Sequence, residues 1–149
     1  MALKPSRRVE AVDYYFYDGK PTERGVILTV NKKQNYPGHV CVSCNQSAVL
    51  EPVGLLLVDV VDLNTTTSFY VDSVRPGNRI SVLKKGWVIT NKVVTKPNNI
   101  KIGAEAILYP NGYIGPWLWG GKPCKKIKKI GRFESGSDKD GYVRVYIDI

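Results

Sequence analysis

Apolar residues along this chain alternate with polar ones or cluster in short runs, and neither pattern has the 3.6-residue period of an amphipathic helix. β-branched and aromatic side chains dominate the runs, while Gly, Pro, Asn and Asp punctuate the gaps between them. The pattern predicts strands at DYYFYD, GVILTV, HVCVSC, GLLLVDVVDL, TTSFYVDS, RISVL, GWVITNKV, AEAILY, GYIG and YVRVYIDI. Only GLLLVDVVDL offers a helical alternative, and its valines and the lack of an N-cap before it favour a strand. The expected fold class is all-β: a single small β-barrel or β-sandwich over residues 13–149, built from hairpins, with an extended N-terminal arm over residues 1–12.

A weak repeat supports hairpin construction. Gly77 is followed nine residues later by Gly86 and then Trp87-Val88, and Gly103 is followed nine later by Gly112 and then Tyr113-Ile114. Gly131 to Gly141, followed by Tyr142-Val143, is one residue longer. Each unit reads as strand, glycine turn, then an aromatic residue opening the return strand. In the last unit, SDKDG also raises the question of a calcium loop. With Asp138, Asp140 and Gly141 at loop positions three, five and six, position one falls on Gly136 and position twelve on Ile147, and neither supplies a ligand. The Asp-Gly pair is therefore read as the turn of a hairpin.

Charge changes the picture next. The 149 residues carry 22 Lys+Arg against 13 Asp+Glu, a formal charge of +9, which points to an anionic partner surface. No apolar run has the length of a signal peptide or a membrane span, and three cysteines make an odd set. The expectation is synthesis in a reducing cytoplasm, without disulfides and without a membrane partner.

Two constellations are candidates for chemistry. Cys41 and Cys44 stand in C-x-x-C spacing with His39 two residues before and Cys124 far downstream, the donor count of a structural zinc. The second knuckle is missing, and strand alternation puts Cys44 on the face opposite His39 and Cys41, so free thiols are preferred and no metal or cofactor is assigned. The tract KPCKKIKKIGR places Lys122, Lys125, Lys126, Lys128, Lys129 and Arg132 beside Trp117 and Trp119, a combination that suits a single-stranded nucleic-acid groove or an acidic protein surface. The acidic protein surface is the preferred target. No nucleophile accompanies the single histidine, no glycine-rich loop precedes a helix, and the aspartates at 59 and 62 or 138 and 140 lack a second set. A binding or structural protein is expected, not an enzyme.

The stretch EPVGLLLVDVVDL, through RPGNRISVLKKGWVITNKV and KIGAEAILYPNGYI, to IGRFESGSDKDGYVRVYIDI resembles the head-decoration, or cement, proteins of tailed bacteriophages, of the short-tailed and cyanophage type. The resemblance implies that Pro52-Val53-Gly54 opens a strand and that Gly86-Trp87-Val88 forms a turn and return strand. It implies further that Gly103 and Gly112 frame a hairpin, and that Gly131-Arg132-Phe133 with Asp138, Asp140, Gly141 and Tyr142 forms the closing one. It implies a virion protein on the outer surface of the capsid, a homo-oligomer (dimer or trimer) bound to the major capsid protein, stabilising the expanded head through many repeated contacts. Contacts are expected at Arg7, Arg8, Trp117, Trp119, Lys125, Lys126, Lys128 and Lys129, with the arm able to add a strand to a neighbouring sheet. The alternatives are a basic β-barrel binding single-stranded nucleic acid and a phage tail or fibre component.

Overall fold

The computed structural model describes residues 3–4, 7–18, 20–30, 39–41, 51–61, 73–74, 77–94, 100–116 and 128–149. The chain is all-β as expected. Among the described residues the strands are β1 Arg8–Tyr17, β2 Ile27–Val30, β3 His39–Cys41, β4 Pro52–Leu56, β5 Asp59–Val60, β6 Ser73–Val74, β7 Arg79–Thr90, β8 Glu105–Leu108, β9 Ile114–Pro116, β10 Lys129–Phe133 and β11 Val143–Asp148. A single 3-10 turn at Pro110–Gly112 is the only helical element among the described residues. Nine strands form one sheet in the order β1-β3-β2-β4-β7-β11-β10-β8-β9, while β5 and β6 form a parallel pair.

One further pairing decides the shape. β1 is antiparallel to β7 as well as parallel to β3, so β1, β3, β2, β4 and β7 close into a ring. β7 is long enough to serve two structures. On one edge it carries β1; on the other, Val82 and Leu83 pair with β4, and Lys85 to Thr90 pair with β11. The ring thus continues, through the second half of β7, into the antiparallel run β11-β10-β8-β9.

Two cores fill this frame, and they account for the continuous apolar runs. Ile27, Leu55 and Leu83 belong to one core, and their chain neighbours Leu28, Leu56 and Val82 to the other. Successive strand residues point to opposite faces, so these segments are buried on both sides and show no polar alternation. The larger core is completed by Val88, Ile130, Phe133, Val143, Val145 and Ile147. Burial there alternates strictly with half-exposed residues along β11.

Several expectations need correcting. RISVL and GWVIT are not two arms of a hairpin but one uninterrupted strand. Gly86 is required for another reason: its φ is +141°, and a Cβ there would overlap the carbonyl oxygen of Arg8. The glycine lets β1 approach and does not turn the chain. GLLLVDVVDL breaks between Leu56 and Asp59 into β4 and β5. The end of the lysine tract, for which no strand was predicted, is strand: Lys129–Phe133 forms β10. The other two repeat units are hairpins as read, β8 with β9 and β10 with β11. Pro52-Val53-Gly54 opens β4. The boundary expected at residue 12 falls inside β1, whose first half is hydrogen-bonded to the chain's own β7, and Leu3 is buried where it bridges to Thr90.

Candidate functional site

With Val88, Val143, Val145, Ile147 and Phe133 turned into the core, alternation directs Lys85, Trp87 and Ile89 of β7, and Arg144, Tyr146 and Asp148 of β11, to the outer face. The strand registers then align one row across five strands. Arg8 of β1 lies opposite Trp87, Trp87 opposite Tyr146, Tyr146 opposite Arg132 of β10, and Arg132 opposite Glu105 of β8. Residues directly opposite share a face, so the row is an arginine, two aromatic rings, a second arginine and a carboxylate.

Side-chain contacts tie the row to its neighbours. The Arg144 guanidinium lies 3.9 Å from the centroid of the Trp87 ring, and that of Arg132 lies 5.0 Å from the Tyr146 ring. The Tyr146 hydroxyl donates to Glu10 Oε2 at 3.0 Å. Partial burial first, and then the Glu10 carboxylate, raise the Tyr146 phenol above its ordinary value of 10.0. Arg144 Nε is 2.8 Å from Glu134 Oε2, Lys129 Nζ 3.1 Å from Glu105 Oε1, and Arg8 Nε 3.5 Å from Glu10 Oε1. Beside the row, Lys129, Gly131, Arg132, Tyr146 and Asp148 line an open depression of about 280 Å³.

This arrangement is an outer face of rings and guanidinium groups fixed by the strand registers. Rings and guanidinium groups held by sheet registers lose little freedom on docking, and Trp, Tyr and Arg are the residue types that dominate interface energetics. The face is not a one-sign electrostatic track: Glu10, Glu105, Glu134 and Asp148 are interspersed with Arg8, Lys85, Lys129, Arg132 and Arg144. Both central rings already carry a guanidinium, which leaves them less available as platforms for bases.

The structure places the sequence-predicted contacts unevenly. Arg8 is in the row, Lys129 borders it through Glu105, and Arg7 is exposed just before β1. Lys128 is turned elsewhere, with its ammonium 2.6 Å from Glu51 Oε1 and its carbonyl accepting the Leu108 N–H. Trp117, Trp119, Lys125 and Lys126 lie outside the described residues. Of the zinc candidates, His39 lies on β3 opposite Phe16, and Cys41, half-buried, lies opposite Thr29, while Cys44 and Cys124 fall outside the described residues. Among the described residues, no group of three His, Cys, Asp or Glu side chains could hold a metal ion. Trp87, Tyr146 and Arg144, which the structure brings together here, are not among the candidate site residues read from the sequence. Their outward direction was legible in the alternation of GWVIT and YVRVYIDI, but their meeting depends on the β7–β11 register.

No protein-family model matches the chain, and no curated protein is significantly similar to it.

Proposed function

We propose that this chain is a non-enzymatic binding protein that docks on an acidic protein surface through the outer face of the β7, β11 and β10 strands. In keeping with its resemblance to head-decoration proteins, we take that surface to be the exterior of an expanded tailed-phage capsid, which the protein cements. The observation that carries the reading is the row Arg8, Trp87, Tyr146, Arg132, rigid across four strands. A net charge of +9 would steer the protein to an acidic shell, and the aromatic–arginine row would hold it there.

Co-sedimentation with expanded heads tests this. Saturable binding is expected, with affinity falling roughly tenfold or more in Arg132→Glu and in Trp87→Ala. Arg132 is exposed, so its variant retains the fold and separates contact from stability. Binding to single-stranded DNA but not to heads, with a steep loss of affinity on adding salt, would overturn the proposal in favour of a nucleic-acid module.

A further inference from the structure

An irregularity in the β10 ladder builds the depression beside the row. Gly131 faces Ala106 of β8 and Lys129 faces Ile107, so two steps on β10 are matched by one on β8. The extra residue makes a β-bulge, and it changes which side chains share a face. Lys129 and Arg132 are three apart, and a regular strand would send them to opposite sides. Here Arg132 lies opposite Glu105, and Lys129 lies opposite Ile107, two residues further along β8, so both cations stand on the outer face. Ile130 and Phe133, also three apart, are both buried in the larger core. Between the two cations a Cβ at Gly131 would overlap the Tyr146 carbonyl oxygen, so the floor of the depression is bare main chain.

Both cations keep donors for a further acceptor. An ammonium has three and a guanidinium five, while Lys129 meets Glu105 at 3.1 Å and Arg132 comes no closer to Glu134 than 4.0 Å. The opposite wall differs in kind. It holds the Tyr146 ring and the Asp148 carboxylate, which lies opposite Lys85 in the β7–β11 register and can only accept. A fitting occupant therefore brings one negative charge to the β10 side and a donor to the β11 side. A phosphate carries charge on every side and is repelled by Asp148. The volume of about 280 Å³ is room for roughly nine waters at about 30 Å³ each, more than a carboxylate alone fills.

We propose that the depression receives one Asp or Glu side chain of the protein partner, together with the main chain that carries it. The carboxylate lies between Lys129 and Arg132, its stem lies against Tyr146, and a main-chain N–H of the same segment donates to Asp148. Arg132 is already held 5.0 Å from the Tyr146 ring centroid, so little freedom is lost on binding. The inference rests on the reading of the outer face as a docking surface for an acidic protein. It adds the unit that such a surface must present: a carboxylate and an N–H on one exposed turn.

The probe is acetyl-glutamate methylamide, titrated into the full chain and followed by amide NMR shifts. Saturable shifts are expected from Lys129 to Arg132 and from Tyr146 to Asp148, with a Kd of about 1 mM and roughly tenfold weaker binding of the acetyl-glutamine analogue. Lys129→Gln changes an exposed side chain and should weaken the glutamate probe about tenfold. Asp148→Asn should let inorganic phosphate bind about tenfold more tightly than it binds the wild type, a gain that a merely structural Asp148 would not produce. Equal binding of the glutamate and glutamine probes overturns the inference, as does tighter binding of phosphate than of glutamate by the wild type. Glucuronate binding more tightly than the glutamate probe would overturn it in favour of an acidic glycan. Co-sedimentation separates this inference from the docking reading. Heads that retain the wild type and Lys129→Gln alike overturn the inference alone, whereas a saturable glutamate site on a chain that heads do not retain overturns the capsid reading alone.

Discussion

β1 and β11 are both antiparallel to β7, and both oppose Trp87. Their burial is nevertheless opposite in kind. β11 places Val143, Val145 and Ile147 at 0% exposure and keeps the alternate positions half-open, whereas the first seven residues of β1 are all exposed. Hydrogen bonding to β7 does not explain the difference. β11 has β10 on its far edge and the Phe133 core beneath, while β1 reaches a core only at its end, where Tyr17 is 1% exposed and Tyr15 packs beside it. Burial comes from the layer underneath, not from the ladder. Apolar side chains on β11 therefore serve stability, and those on the first part of β1 are free to serve contact.

The largest effect that would break this comparison is a core deletion. Phe133→Ala removes a fully buried ring and is expected to cost about 3–5 kcal/mol in urea unfolding. Tyr14→Ala removes a ring from β1 that is 55% exposed and has the Arg79 guanidinium 4.1 Å from its centroid, and should cost about 1 kcal/mol or less. Similar costs at the two sites would show that β1 covers a core after all.

A change at Gly86 sharpens the comparison, because this residue sits between the two strands. Alanine there would adopt a backbone conformation that L residues avoid and would press on the Arg8 carbonyl, at a cost of about 1–3 kcal/mol. The strain falls on the β1 side. Amide hydrogen exchange in Gly86→Ala should speed up along Arg8 to Tyr15 and stay slow along Val143 to Ile147; equal acceleration in both strands would mean that they form one cooperative unit.

The same contrast explains what could be read from the sequence. The β8–β9 and β10–β11 hairpins were legible because their signals are local: a PNG turn with Gly112, and DKDG with alternation behind it. Ring closure was not, since it joins β1 to β3 in parallel and to β7 across more than sixty residues, and neither pairing leaves a local trace. Lys84-Lys85-Gly86 imitates a turn so well that the longest strand was divided there. For the site, Arg8 and Lys129 could be picked out as basic residues. The Trp87–Tyr146 pair could not, because it joins residues 59 positions apart in sequence through the β7–β11 register alone.

The smallest expected effect concerns the turn that launches β11. Asp138 Oδ1 accepts the N–H groups of Tyr142 and Asp140, each at 2.9 Å, and Oδ2 receives Lys4 Nζ at 3.1 Å, while Gly141 takes the φ of +83° that closes the turn. The Tyr142 N–H above all, then the Lys4 and Asp140 donors, hold the Asp138 carboxyl below its ordinary value of 3.8, against the opposing effect of desolvation. A carboxylate whose pKa is lower in the folded chain stabilises the fold above its unfolded value and loses that contribution as pH falls through the folded one. Lys4 would be released in the same step, and with it one tie between the segment preceding β1 and the hairpin. The melting temperature of Asp138→Asn should thus lie below that of the wild type at neutral pH, by less than either change above, and the two should converge at about pH 2. A gap that persists unchanged in acid would mean that the side chain acts through its shape and neutral hydrogen bonds, and that its charge contributes nothing to holding β11.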